Sequence, residues 1–246
     1  MWNKPHLLNA LADLLVLVAA AALLAAAAVW LVRVPALPIK QVVFAEPLPH
    51  TRRGEVEQVF PAALKGNFFS LNLDAVRASL QTLPWVRKVD VRRIWPAKLE
   101  ISIEEHKPVA RWGEGRSELV NSYGEVFAAQ LPDEESVGLP LLFGPNGTAQ
   151  EVLTHYGNFV EAFKTVGETP VQVTLSPRLA WQVKLQNGML VDIGREQTKA
   201  PVGVRLQRFI EIYPETVAKR AVRPAVVDLR YPNGFAMRVA GEGKGK

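Results

Sequence analysis

Cysteine is missing from the 246-residue chain altogether. That excludes disulfide scaffolds, thiolate metal sites and cysteine nucleophiles, and it fits an oxidising compartment. Histidine is scarce, and His6, His50, His106 and His155 share no metal-ligand spacing. No serine lies in a nucleophile elbow and no S-x-x-K pair occurs. Gly66 and the Gly113-Glu114-Gly115 pair lack the spacing of a phosphate-binding loop. The run Glu104-Glu105-His106-Lys107 falls at a strand end, where a solvated charge run is the ordinary reading. A strong charge of one sign is lacking too. The 29 basic and 24 acidic residues leave +5, scattered along the chain, whereas nucleic-acid binding needs a concentrated basic patch. The sequence therefore offers no catalytic, metal or cofactor set.

What is present begins with an unbroken apolar run from Leu14 to Val32. At about 1.5 Å per residue it spans roughly 28 Å, close to the ~30 Å hydrocarbon core of a bilayer. Leu and Ala favour helix, no Gly or Pro interrupts, and Trp2 and Trp30 lie towards its two ends. Leu7, Leu8, Leu11 and Ala12 extend the apolar character past Asp13, and Arg33 with Pro35 closes the helix. A buried core helix would carry a polar stripe. A cleaved signal peptide is the rival, since Ala25 to Ala28 offers small residues, but the run exceeds the usual h-region of roughly 7–15 residues. An uncleaved anchor is the preferred reading. Its flanking charges point the other way from an exported domain: only Lys4 precedes the helix, while Arg33, Lys40, Arg52 and Arg53 follow.

With 48% hydrophobic and 22% charged residues, the rest of the chain can build one large domain or two small ones. Ile39 to Ala45 reads as a strand. A helix follows with Thr51 as N-cap and Val56, Val59 or Phe60, and Leu64 on one face. Asn72 caps a second helix through Leu73, Val76, Leu80 and Leu83, ended by Pro84. Two alternating runs, Val89-Val91 and Leu99-Ile101-Ile103, complete a β-α-α-β-β order with two helices over one face of a small sheet. From Pro108 onward, short strands are predicted at Val109–Trp112, Leu119–Asn121 and Val126–Ala128, and Pro140 to Pro145 reads as a turn-rich connection. Thr148-Ala-Gln-Glu151 has the form of a capping box, opening a helix with Val152, Tyr156, Phe159 and Phe163 inward. Strands at Val171–Leu175, Trp181–Leu185 and Met189–Ile193 follow, with Asn187-Gly188 as a type I′ hairpin signal. A helix from Val202 to Tyr213 is predicted to stop at Pro214, before a last strand pair, Val226–Tyr231 and Phe235–Val239.

Gly66-Asn-Phe-Phe-Ser70, Leu83-Pro-Trp-Val86, Val89-Asp-Val-Arg92, Trp95-Pro96 and Pro108-Val-Ala-Arg-Trp112 occur in the order of a known bacterial family. Leu141-Leu-Phe-Gly-Pro145, Trp181, Leu206 to Pro214 and Val227-Asp-Leu-Arg-Tyr231 continue it. On these motifs the chain resembles the cell-division protein FtsQ (DivIB) family over nearly its whole length. The resemblance implies an α+β chain: a cytoplasmic tail at 1–12, a transmembrane helix at 13–33, a POTRA domain at 38–107, a mostly antiparallel β domain with helices on one face at 108–240, and a flexible tail at 241–246. It implies a bitopic inner-membrane scaffold of the divisome, its C-terminal part periplasmic and concentrated at the septum. No catalytic activity, cofactor, metal, nucleic acid or small-molecule substrate goes with the family. FtsB is the implied direct partner, arriving with FtsL and linking to FtsW and FtsI in septal peptidoglycan synthesis. Carried over by motif, Tyr231, Asn233, Gly234, Phe235, Ala236 and Met237 are the expected contacts, with Arg178 and Arg195 as charge partners. Pro232-Asn233 departs from the family's Asp-Ser at that turn. Other readings are a POTRA-bearing chaperone or translocation subunit, which usually carries repeats or a barrel, and an anchored cell-wall hydrolase, which needs a catalytic set.

Overall fold

The computed structural model describes residues 5–33, 41–45, 47–63, 67–115, 117–231 and 234–239. Helix α1 (Pro5–Arg33) contains the predicted apolar run. Its segment Leu8–Trp30, 23 residues, is the one helix among the described residues long and apolar enough to cross a membrane. At about 1.5 Å per residue it is roughly 34 Å long. The chain divides into two compact units between Glu105 and His106.

In the first unit, β1 (Gln41–Phe44), α2 (Arg53–Ala63), α3 (Leu73–Leu80), β2 (Val86–Ile94) and β3 (Lys98–Glu105) follow the β-α-α-β-β order read from periodicity. The sheet order is β1-β3-β2, with β1 parallel and β2 antiparallel to β3. Alternation along β2 and β3 sends Val89, Val91, Leu99, Ile101 and Ile103 to one face, where Val56, Val76 and Leu80 from the helices cover them. Asn72 caps α3 as expected, its Oδ1 accepting from Asp74 N at 3.0 Å and Ala75 N at 3.1 Å. Thr51 is not a cap. Helix α2 begins at Arg53, and the Thr51 N–H donates instead to Glu105 Oε1 at 2.8 Å. Burial pushes the Glu105 carboxyl up, but the donors on Thr51 and His50 outweigh it and hold the group below its usual range. Ile39 and Leu64 lie outside the described residues.

The second unit is a nine-stranded sheet with its two long helices on one face. Its strands are β4 (Pro108–Trp112), β5 (Glu118–Asn121), β6 (Val126–Ala128), β7 (Leu141–Phe143), β8 (Pro170–Leu175), β9 (Ala180–Leu185), β10 (Leu190–Arg195), β11 (Pro224–Asp228) and β12 (Ala236–Val239). They lie in the order β12-β11-β10-β9-β8-β7-β4-β5-β6. The pairs β4–β7, β7–β8 and β10–β11 are parallel and the rest antiparallel. Phe159 and Phe163 of α5 (Ala149–Lys164) and Leu206, Phe209 and Tyr213 of α6 (Val202–Tyr213) pack on Val173, Val183, Val191, Ile193 and Val227. Full burial of each such side chain contributes about 1.5–3 kcal/mol.

Four local expectations change here. The 140–145 connection holds β7, a central strand parallel to both neighbours, invisible because three residues between prolines show no period. Thr148 makes no side-chain cap; its Oγ1 donates to Pro145 O at 2.7 Å. Pro214 does not stop the helical path, which widens into a π-helical turn at Pro214–Ala218 that absorbs the missing N–H. The Asn187-Gly188 hairpin is not type I′, since Gly188 has φ +89° but Asn187 is not left-handed. The Leu185 N–H reaches Met189 O at 2.9 Å, leaving a three-residue loop with glycine last. A short helix, α4 (Asp133–Ser136), had no signature in the sequence.

Candidate functional site

Strand β12 is the last in the sheet and pairs, among the described residues, only with β11. The register Val226↔Arg238, Val227↔Met237 and Asp228↔Ala236 fixes which side chains face which way. Phe235 and Met237 pack against the helix-covered core, and Phe235 meets Phe209 edge-to-face at 5.5 Å. Ala236 and Arg238 point to the other, exposed face. Anchored on one edge by β11 and from beneath by the core, β12 holds its outer N–H and C=O groups in a fixed row.

The β10–β11 pairing is parallel, Asp192 lying beside Asp228, so Arg195 and the residues after Asp228 leave the sheet at the same end. Arg195 also pairs with Ala180 in β9, which places the exposed Arg178 in the β8–β9 turn at that end too. Neighbouring strands are ~4.8 Å apart, so the β8–β9 turn lies roughly 15 Å across the sheet from β12. Tyr231, 54% exposed, follows Arg230 at this end, ahead of Gly234. The structure thus gathers Arg178, Arg195, Tyr231, Gly234, Phe235, Ala236 and Met237 along one end and one edge of the sheet. Asn233 lies outside the described residues.

Arg230 belongs to this site and was not foreseen. Its Nε and Nη2 donate to Asp228 at 2.8 and 2.6 Å, and Nε is 3.6 Å from Asp192. Burial raises the Asp192 carboxyl above its usual range, while Arg230 partly counters it. The Arg230 hydrogen bonds hold Asp228 below its own. Arg230, Asp192, Asp228, Val226, Ala236 and Arg238 line a groove of about 260 Å³ that runs along the exposed face beside the edge. Gly194, at φ +83°, makes room: a Cβ there would lie 2.7 Å from Arg230 Cγ. On the core side Arg205 is buried, its Nη2 donating to Arg195 O at 2.5 Å and its Nε and Nη1 without a partner among the described residues. Only the motif Val227–Tyr231 hinted at Arg230; its carboxylate partner on β10 comes from a pairing that no local pattern encodes.

An edge strand backed by aromatic packing and flanked by guanidiniums can accept an extended segment as an added strand, with acidic side chains of that segment facing the arginines. Among the described residues no cluster of His, Asp or Glu is arranged to hold a metal ion.

Comparison with known proteins agrees along the chain. Residues 37–106 match the POTRA domain of FtsQ type, and residues 110–230 match the C-terminal region of cell division protein FtsQ/DivIB. Cell division protein FtsQ of Burkholderia pseudomallei is 39% identical over 241 residues, covering 98% of this chain and 95% of that protein. The FtsQ of Nitrosospira multiformis is 36% identical, covering 97% and 99%. That of Neisseria gonorrhoeae is 32% identical, covering 99% and 97%. These full-length matches continue past the second family region, which ends at Arg230, through β12.

Proposed function

From the premise that the chain belongs to the FtsQ/DivIB family of cell division proteins, we propose that it is a single-pass scaffold of the divisome that captures FtsB by strand addition at β12. Helix α1 tethers the protein in the inner membrane. The domain at 38–107 and the β domain at 108–240 lie in the periplasm, concentrated at the septum. FtsL arrives with FtsB, and through them the scaffold bears on FtsW, FtsI and septal peptidoglycan synthesis. It acts by binding alone.

The observation that carries this reading is the position of β12: last in the sheet, ordered by Phe235 and Met237 beneath it, and open along its outer edge among the described residues. Such an edge is a liability unless it is guarded or used. Arg238 points outward and guards it against self-pairing, while leaving it open to an acidic segment. Arg178 and Arg195 supply the same charge preference at the end where the segment would enter.

In β12, alternate residues turn their N–H towards β11 and towards the open edge. Proline removes that donor. Met237→Pro and Arg238→Pro therefore separate two effects. In a pull-down with the FtsB periplasmic segment, the variant whose N–H faces outward loses capture, while its thermal unfolding matches that of the alanine variant at the same position, because the pairing with β11 is kept. The other loses stability as well. Undiminished capture by both variants refutes edge addition.

A further inference from the structure

At the opposite end of the large sheet from β12, the face away from α5 and α6 carries a second site. Ala110 and Trp112 of β4 belong to the helix-covered core, so alternation turns Arg111 to the other face. Its register partner in β5, Leu119, is fully buried yet outside that core, because the 129–140 segment with α4 folds over this end of the sheet. The segment is pinned at both ends, by Ala129 N–H to Ser117 O at 2.9 Å and by Arg111 N–H to Pro140 O at 2.9 Å. Between it and the sheet lies a cleft of about 440 Å³, lined by Arg111, Ser117, Leu119, Gln130, Asp133 and Ser136. That volume falls within the roughly 300–1,000 Å³ of small-ligand sites.

The Arg111 guanidinium has no hydrogen-bond or ion-pair partner among the described residues, and its Nε is shut off from solvent. A buried donor left unmade is unfavourable, and an arginine fork is matched by a planar carboxylate that takes two of its N–H groups. Asp133 in the lining, with exposed Glu134 and Glu135 beside it, opposes dianions and polyanions. We propose that this cleft binds a single carboxylate, presented by a small acylated amino acid or by a peptide C-terminus. Arg111 takes the carboxylate, the partly exposed Leu131 of the lining lies against the aliphatic part, and Ser117 and Gln130 face the amide.

The test is ligand-observed NMR titration of the detergent-solubilised full chain with N-acetylalanine, N-acetyl-trialanine and the trialanine C-terminal amide. The free acids bind, and the amide binds about tenfold or more weaker, the scale of one lost charge-assisted pair. Tighter binding of the tripeptide acid assigns the peptide terminus; tighter binding of N-acetylalanine assigns the small molecule. Arg111→Gln removes binding and Arg111→Lys retains part of it, with circular dichroism reporting the fold. Ser117→Asp at the exposed rim also weakens the acids, and serves if Arg111→Gln unfolds the domain. Equal binding of acid and amide, no binding by any probe, or undiminished binding by both Arg111→Gln and Ser117→Asp overturns the proposal. FtsB capture at β12 is unaffected by these variants, so the two sites fail or stand separately.

Discussion

Gly194→Ala tests how the proposed docking end is built. The glycine sits at φ +83°, in the left-handed region, where an alanine costs about 1–2 kcal/mol. The new Cβ would also lie 2.7 Å from Arg230 Cγ and 3.7 Å from its Cβ, so the arginine must leave its rotamer rather than flex at its tip. Off-rotamer placement costs about 0.5–1.5 kcal/mol. Arg230 is 59% exposed, so losing its pairs with Asp228 and Asp192 adds at most about 1 kcal/mol. The total is about 1.5–4.5 kcal/mol, or roughly 5–15 °C in the unfolding midpoint of a domain of this size. Arg230→Ala alone removes only the surface pairs and costs about 1 kcal/mol or less. In the double variant the steric conflict is gone while the backbone strain of about 1–2 kcal/mol and the loss of the surface pairs remain, so the cycle shows a coupling of about 1–2 kcal/mol. Urea unfolding of the four proteins, followed by circular dichroism, measures it. Strict additivity, or a Gly194→Ala protein as stable as the parent, refutes the account.

Two further predictions are independent of that cycle. The Tyr213 hydroxyl donates to Glu168 Oε1 at 2.6 Å, and burial, then the Glu168 bond and charge, raise the phenol above its ordinary value of 10.0. A group raised on folding contributes stability that is complete below its unfolded value and lost as pH rises through the folded one. Tyr213→Phe therefore costs about 1–2 kcal/mol at neutral pH, and its difference from the parent narrows above about pH 10 in denaturant titrations. A reporter active only in the periplasm, fused after Lys246, is active in cells; a silent fusion with full expression reverses the orientation proposed for α1.

The sequence alone determined what depends on local chemistry. The length of the apolar run settles that α1 can span a bilayer, because the hydrocarbon core has a fixed thickness. Period-2 and period-3.6 patterns placed β2, β3, α3, α5 and α6, because one face of each is buried and the other wet. Asn72 was readable as a cap because its partners lie two and three residues away. Only the tertiary structure decided what depends on partners distant in the chain. Leu141–Phe143 is a strand because β4 and β8 flank it, Arg230 is held because β10 brings Asp192 beside β11, and Arg111 faces a cleft because α4 folds over the sheet. Even β12 shows the division. Its alternation is written in Phe235, Met237 and Val239, but its place at the edge, on which the proposed docking depends, is set by strand order alone.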